Sequence, residues 1–268
     1  MVKKRINYEV IGLVPAGGKA SRIAPLPCSK ELYPVGFHSD ERGFRPKVVS
    51  HYLLEKMRLA DIKKAYIILR DGKWDIPAYF GDGKMLDMHL AYLMMGLPFG
   101  VPYTLDQAFP FVKDAVVALG FPDSIIQPEY AFEKLLAKQS ESNAAIVLGL
   151  FPAHQPHKTD MVEMDAHGRV RTIHIKPDHT HLDYAWEIAI WTPAFTQFMH
   201  EYVSAQRKKY GKSPVIGEKK ELFLSDVIKY AIKKGMQIDK VIFKDGSCLD
   251  IGTPKDLLKA IQSQIKFQ

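Results

Sequence analysis

Cysteine is nearly absent from this chain: two occur in 268 residues, Cys28 and Cys248, and they form no C-x-x-C pair. That scarcity excludes a disulfide framework and a cysteine-ligated zinc site, and it makes a reducing cytoplasm the expected compartment. Long apolar runs are lacking too. The longest, Ala144 to Phe151, falls far short of the roughly 20 residues that cross a bilayer, so no membrane span or membrane partner is expected. The basic start at Lys3, Lys4 and Arg5 leads into apolar residues soon interrupted by Gly12, Pro15, Gly17 and Gly18, which does not read as a signal peptide. There is no arginine block or charged tail, since 37 Lys and Arg stand against 30 Asp and Glu along the whole chain. A surplus of seven, so dispersed, suits small anionic molecules better than duplex DNA. Repeats, low-complexity tracts and Pro/Ser-rich linkers are also missing.

What is present is an ordinary folding composition, with 47% apolar residues, and a chain of this length buries roughly three quarters of its unfolded surface. Val10 to Val14 reads as a buried strand running into a glycine turn. Lys47 to Leu59 carries apolar residues at helical spacing, and Lys64 to Leu69 follows as a strand. The alternation continues with a helix over Leu105 to Lys113, a strand over Ala115 to Leu119, a helix over Pro128 to Lys138 and a strand over Ala144 to Leu150. Repeated strand–helix–strand units predict a mostly parallel sheet between helical layers. Met161 to Met164 and Arg169 to Ile175 flank the turn Asp165 to Gly168 and read as a hairpin, which makes the sheet mixed. A helix over Leu222 to Lys233, a strand over Ile238 to Phe243 and a helix over Pro254 to Ile265 close the chain. The expectation is one α/β domain over 1–268, with a hairpin region inserted at about 160–215.

Chemistry concentrates after the first strand, in Pro15-Ala16-Gly17-Gly18-Lys19-Ala20-Ser21-Arg22 and its continuation to Lys30-Glu31-Leu32-Tyr33-Pro34-Val35. Adjacent glycines let backbone N–H groups approach phosphate oxygens, although a tight turn needs the same residues. Lys19, Arg22 and Lys30 add cations suited to a polyphosphate. The segment is not a Walker A loop, because Gly18-Lys19 is followed by Ala20, and it contains no G-x-G-x-x-G.

This stretch resembles the signature of the nucleotide-sugar pyrophosphorylases, the sugar-1-phosphate nucleotidyltransferases: Ala-Gly-Gly-x-Gly-[Thr/Ser]-Arg-[Leu/Ile]-x-Pro-Leu, then Lys-x-Leu-x-Pro-Val. Ala20 stands where the family has its third glycine, and the interval from Arg22 to Lys30 is about two residues short. The likeness continues through Lys47 to Leu54, Leu105 to Ala108, Gly120 to Asp123, Ile175 to Pro177 and Leu249 to Pro254. It resembles glucose-1-phosphate thymidylyltransferases and uridylyltransferases in particular. It implies a Rossmann-like, three-layer α/β/α sandwich of the glycosyltransferase-A type and a reaction that joins a nucleoside triphosphate, dTTP or UTP, to a sugar-1-phosphate. Arg22 and Lys30 would hold the triphosphate with the backbone of Ala16, Gly17 and Gly18, and Gln107 would read the base. Asp123 and Asp250 would bind Mg²⁺, Asp123 serving the reaction directly, and Lys176 would meet the sugar phosphate.

Read on their own, Asp123 and Asp250 are equally well strand-end caps or turn residues. Around the acceptor the chain departs from the family. Ile175 replaces a glutamate and Ile188 a glycine, while Glu187 remains a candidate hydroxyl partner. A cytidylyltransferase acting on a phospho-alcohol such as phosphocholine is therefore an alternative, as is a non-catalytic nucleotide sensor. A nucleic-acid partner finds no motif beyond scattered aromatics such as Tyr33, Phe37 and Phe44. His154, His157, His174, His179 and His181 match no zinc spacing and are read as surface residues. The insertion Phe37 to Arg45 receives no function, both cysteines read as bystanders, and assembly into a homo-oligomer is left open.

Overall fold

The computed structural model describes residues 8–40, 43–210 and 221–265. The basic start at Lys3 to Arg5, the middle of the Phe37 to Arg45 insertion and the stretch 211–215 of the expected hairpin region lie outside the described residues.

The strands are β1 (Val10–Ala16), β2 (Pro34–Asp40), β3 (Gly43–Val48), β4 (Lys64–Leu69), β5 (His89–Met94), β6 (Val116–Leu119), β7 (Ser124–Gln127), β8 (Ile146–Pro152), β9 (Asp160–Met164), β10 (Val170–Ile175), β11 (Tyr184–Trp191), β12 (Ile238–Ile242) and β13 (Ser247–Asp250). The helices are α1 (Val49–Leu59), α2 (Asp75–Phe80), α3 (Val101–Leu105), α4 (Phe109–Val112), α5 (Ala131–Glu141), α6 (Pro193–Tyr210), α7 (Leu224–Lys233) and α8 (Pro254–Ile265). A 9-stranded sheet runs in the order β10-β9-β11-β6-β1-β4-β5, with β8 and β12 continuing from β11. The pairings of β1 with β4 and β6, of β4 with β5 and of β8 with β12 are parallel. β11 runs antiparallel to β6, β8 and β9, and β10 antiparallel to β9, so only β10 and β11 oppose the rest.

The sheet is buried on both faces, which is why β1, β6 and β8 read as near-continuous apolar runs. On one face Leu53 and Met57 of α1 and Phe132 and Leu135 of α5 pack against it. On the other, Phe195 and Met199 of α6 and Val227 and Ile228 of α7 do so. This is the expected mixed, mostly parallel sheet between two helical layers.

Several boundaries differ from the sequence reading. The helix expected from Lys47 begins at Val49, because Gly43–Val48 pairs with Pro34–Asp40 as a hairpin. Pro46 lies at the open edge of that two-stranded ribbon, where a missing N–H costs nothing. The helix expected over Leu105 to Lys113 is broken into α3, a 3₁₀ turn over Asp106–Ala108 and α4. β5, β11 and α6 were not anticipated. The ribbon β7–β13 matters most for the site: Asp250 lies opposite Ser124, and Ile251 N–H donates to the carbonyl of Asp123 at 3.0 Å.

Candidate functional site

The ends of β1, β4, β5 and β6 open onto a cleft of about 440 Å³. Each of these strands hands a residue to it: Gly17 after β1, Arg70 after β4, Met95 after β5, and Phe121 and Asp123 after β6. Ligands collect at this carboxyl edge of an open α/β sheet because the strands stop while the loops diverge.

Gly17 and Gly18 line the cleft, whereas Ala16 is buried as the last residue of β1 and offers only its backbone. A Cβ on Gly17 would stand 2.8 Å from Met95 Sδ, so any side chain there would have to push the flexible methionine aside. Ala20, at the family's third glycine, has φ +55°, the left-handed conformation that glycine favours. The turn still closes, with Ile23 and Ala24 N–H donating to the Ala20 carbonyl at 3.1 and 3.0 Å. An alanine thus holds this turn at a cost of about 1–2 kcal/mol in backbone strain.

Lys30 follows on a 3₁₀ turn, Lys30–Leu32, and its ammonium donates to Asp123 across the cleft. Burial works against the charge on Lys30, but the Asp123 carboxylate outweighs it and holds the ammonium above its ordinary range. Arg22 Nη2 lies 3.9 Å from Asp250 Oδ2. Half of the Asp250 side chain faces solvent, yet it sits in a crowded hollow. Burial there and the neighbouring Asp123 push its carboxyl up to about 6. Gly252 leaves room beside it, since a Cβ there would stand 2.7 Å from both Asp250 Oδ2 and Arg22 Nη2.

Two adjacent carboxylates, Asp123 and Asp250, form a place for a cation. Among the described residues no group of three or more His, Cys, Asp or Glu side chains is placed to hold a metal by itself. That donor set fits Mg²⁺, which takes one or two carboxylates and completes its shell with phosphate and water oxygens.

Glu187 occupies an irregularity of β11 between Trp186 and Ile188. Burial raises its carboxyl to about 8, against a hydrogen bond from Cys248, with Asp250, Asp160 and Asp123 adding to the rise. The rise favours the neutral carboxyl, which can donate a hydrogen bond. Ile188 is fully buried and packs over Gly149, so its side chain fills the core rather than an acceptor pocket. Lys176 has φ +44°, and its ammonium lies 4.7 Å from the centre of the Phe223 ring. Its charge also reaches Asp160, which receives the Ser225 hydroxyl at 2.5 Å. Glu187 feels the charges of Asp123, Asp250 and Asp160, and Asp160 that of Lys176, but none of Lys176, Asp160 and Glu187 lines the cleft.

Gln107 is half-exposed beside the cleft and is not among the residues that line it. Its amide packs on Gly96 and donates to the Tyr103 carbonyl at 3.4 Å, and the surface facing the cleft comes from Met95, Pro98, Gly100, Val101 and Thr104. Asp106, beside it, is buried and bonded to His200 Nδ1 at 2.8 Å and to Arg207 at 3.4 Å, tying this wall to α6. His174 pairs with Glu163 at 2.7 Å on the surface. Sequence reasoning missed Arg70, Met95 and the buried pair Glu31–Lys73. The signal for Arg70 was available, because it directly follows the apolar run Lys64 to Leu69 and so marks a strand end.

A glycine loop with cations, facing paired carboxylates at the carboxyl edge of a mixed α/β sheet, defines a class of proteins that handle phosphate esters of nucleotides. Within that class the chain belongs to the nucleotidyl transferase family, whose profile matches residues 11–266. A glucose-1-phosphate thymidylyltransferase of Streptomyces antibioticus is 25% identical over 249 residues, covering 92% of this chain and 64% of that protein. The chain therefore spans about two thirds of that relative's length. A Bacillus anthracis protein assigned as a glucose-1-phosphate thymidylyltransferase and solved with sucrose superposes with a TM-score of 0.77 at 19% identity, covering 95% of each chain. The inositol-1-phosphate CTP transferase of T. maritima superposes with a TM-score of 0.70 at 18% identity, covering 96% of each chain. These two structures share the fold.

Proposed function

We propose that this chain is a sugar-1-phosphate nucleotidyltransferase that uses dTTP or UTP. The single observation that carries the reading is the contact of Lys30 with Asp123 beside Asp250, at the mouth of the Gly17-Gly18 loop. A phosphate oxygen of the acceptor forms a bond to the α-phosphorus, the bond from that phosphorus to the bridging oxygen breaks, and pyrophosphate leaves with the electron pair. The attacking oxygen is already an anion, so the protein's work is placement and charge neutralisation.

In this reading the backbone N–H groups of the Ala16-Gly17-Gly18 turn and the side chains of Arg22 and Lys30 hold the triphosphate. Lys30 also donates to Asp123. Asp123 and Asp250 would hold Mg²⁺, which supplies charge neutralisation at the phosphates when bound. Lys176 meets the acceptor phosphate, and Glu187 exchanges hydrogen bonds with its hydroxyls. Gln107 supports the base-binding wall through its contact with Gly96, and the base itself packs against Met95, Pro98 and Val101.

The test is pyrophosphate release from a matrix of nucleoside triphosphates and sugar-1-phosphates, with CTP plus phosphocholine or inositol phosphate included. Each pair is run with and without Mg²⁺, and Asp123→Asn serves as control. One metal-dependent pair containing dTTP or UTP, lost in the variant, supports the proposal. A CTP pair would move the chain to the phospho-alcohol reading. Nucleotide binding without turnover of any pair would sink catalysis and leave a sensor.

A further inference from the structure

The segment after β4 has no role in the reading above, yet one of its side chains reaches the cleft. In the parallel register Ala16 lies beside Leu69 and Leu69 beside Met94. The next residues of the three strands, Gly17, Arg70 and Met95, therefore share one row at the strand ends, and all three line the cleft. Arg70 is half-buried there.

Among the cations that line the cleft, Lys30 is matched by Asp123, whereas Lys19 and Arg70 have no carboxylate within ion-pair distance among the described residues; Lys19 is exposed on the glycine loop, and Arg70 is the half-buried one. A half-buried guanidinium in a cleft, facing a loop of backbone donors, is an arrangement that needs an anion. Its planar fork pairs with two phosphate oxygens at once, which a lysine ammonium does not.

Arg70 is also built onto the same support as Lys30. Lys73 Nζ donates to Glu31 Oε1 at 2.5 Å, and both side chains are almost wholly buried. Two residues on, Asp75 accepts from Ser29 N–H at 2.6 Å and from the Ser29 hydroxyl at 2.7 Å. The residues on either side of Lys30 are thus gripped by the segment that begins at Arg70. That segment is itself closed by Lys73 N–H on the Arg70 carbonyl at 3.4 Å, with Gly72 at φ +89°. The two cations are held as one body, so little order remains to be gained when a phosphate chain arrives.

We infer that Arg70 is a further ligand of the phosphate chain, a binding residue delivered by a loop clamped to the Lys30 turn. The inference rests on the proposed reaction for its biological ligand, but its test does not. Calorimetric titration of the intact protein with inorganic tripolyphosphate, without nucleotide or acceptor, reads the site directly. Arg70→Gln should weaken binding on the order of 10- to 100-fold, the range for a lost charge-assisted contact. Arg70→Lys should recover part of the loss, and the unfolding midpoints of both variants should match the parent. Tripolyphosphate binding that is equal in parent and Arg70→Gln, or absent from the parent, overturns the inference. Should Arg70→Gln lose binding while no nucleotide pair is turned over, Arg70 stands as a phosphate ligand and the proposed reaction falls.

Discussion

The ammonium of Lys30 and the carboxylate of Asp123 meet although 93 residues separate them in the chain. The contact joins the loop after β1 to the end of β6 and leaves Asp250 as the second carboxylate beside it. Replacing Lys30 by Met should lower kcat by at least two orders of magnitude, the scale seen when a charge-stabilising group is removed from a transition state. It also leaves Asp123 facing Asp250 with only the more distant Arg22 as counter-charge. Thermal unfolding should therefore show Lys30→Met destabilised in chelator and recovering more on addition of Mg²⁺ than the parent does. An unchanged kcat would remove Lys30 from the reaction.

The pair Glu31–Lys73 is buried, with relative exposures of 1% and 7%. Burial pushes Glu31 up and Lys73 down, so each depends on the other to stay charged. Lys73→Met should cost about 3–5 kcal/mol in urea denaturation, because it strands a buried carboxylate. The double variant Glu31→Met with Lys73→Met should regain much of that stability. A double variant no better than the single one would show that the two residues do not act as a pair.

Ala20 predicts a gain rather than a loss. Glycine at φ +55° relieves strain of about 1–2 kcal/mol and gives back about 0.4–1 kcal/mol in unfolded-chain entropy. Ala20→Gly should thus stabilise the protein by about 0.5 kcal/mol, and Ala20→Val, with its branched Cβ, should destabilise it. The ordering of the three urea midpoints checks this, and a glycine variant below the parent would contradict it.

His51 sets an acid limit. Its ring is buried on α1, with Nδ1 finding no hydrogen-bond partner among the described residues and Nε2 3.9 Å from Glu55. Burial lowers it from 6.5 to about 4; Glu55 opposes the fall, and Lys47 and His38 add to it. Because the folded value is depressed, the contribution is complete above pH 6.5 and is lost as pH falls toward 4. The unfolded chain takes up the proton before the folded one does. The loss is on the order of 3 kcal/mol. His51→Leu should flatten that arm of the stability–pH curve, measured by chemical denaturation between pH 7 and 4. An arm of unchanged slope would place the acid sensitivity elsewhere.

The elements that proved legible in the sequence are those whose apolar residues lie under a neighbour on both faces or at helical spacing. β1, β4, β8, α1 and α7 are of this kind. β5 escaped because its exposed positions at His89, Ala91 and Met94 interrupt an otherwise apolar edge strand. β7 and β13 are four residues each, and nothing local announces that 124–127 will pair with 247–250. The site divides the same way. The loop through Lys30 and the aspartates was readable because motifs mark them. Arg70, Lys73 and Asp75 acquire meaning only from contacts with Gly17, Glu31 and Ser29, residues more than 40 positions away. Gln107 is legible as a motif residue, but its contact with Gly96 is a property of packing that spacing does not carry.

The β7–β13 ribbon has a consequence for synthesis. Residues leave the ribosome in chain order, while a domain folds as a unit. The glycine loop, Lys30 and Asp123 are made first, but the second carboxylate waits for β13 to come back and lie along β7. A nascent chain that has not reached Asp250 therefore lacks the paired acids, and it gains them only when 247–250 closes on 124–127.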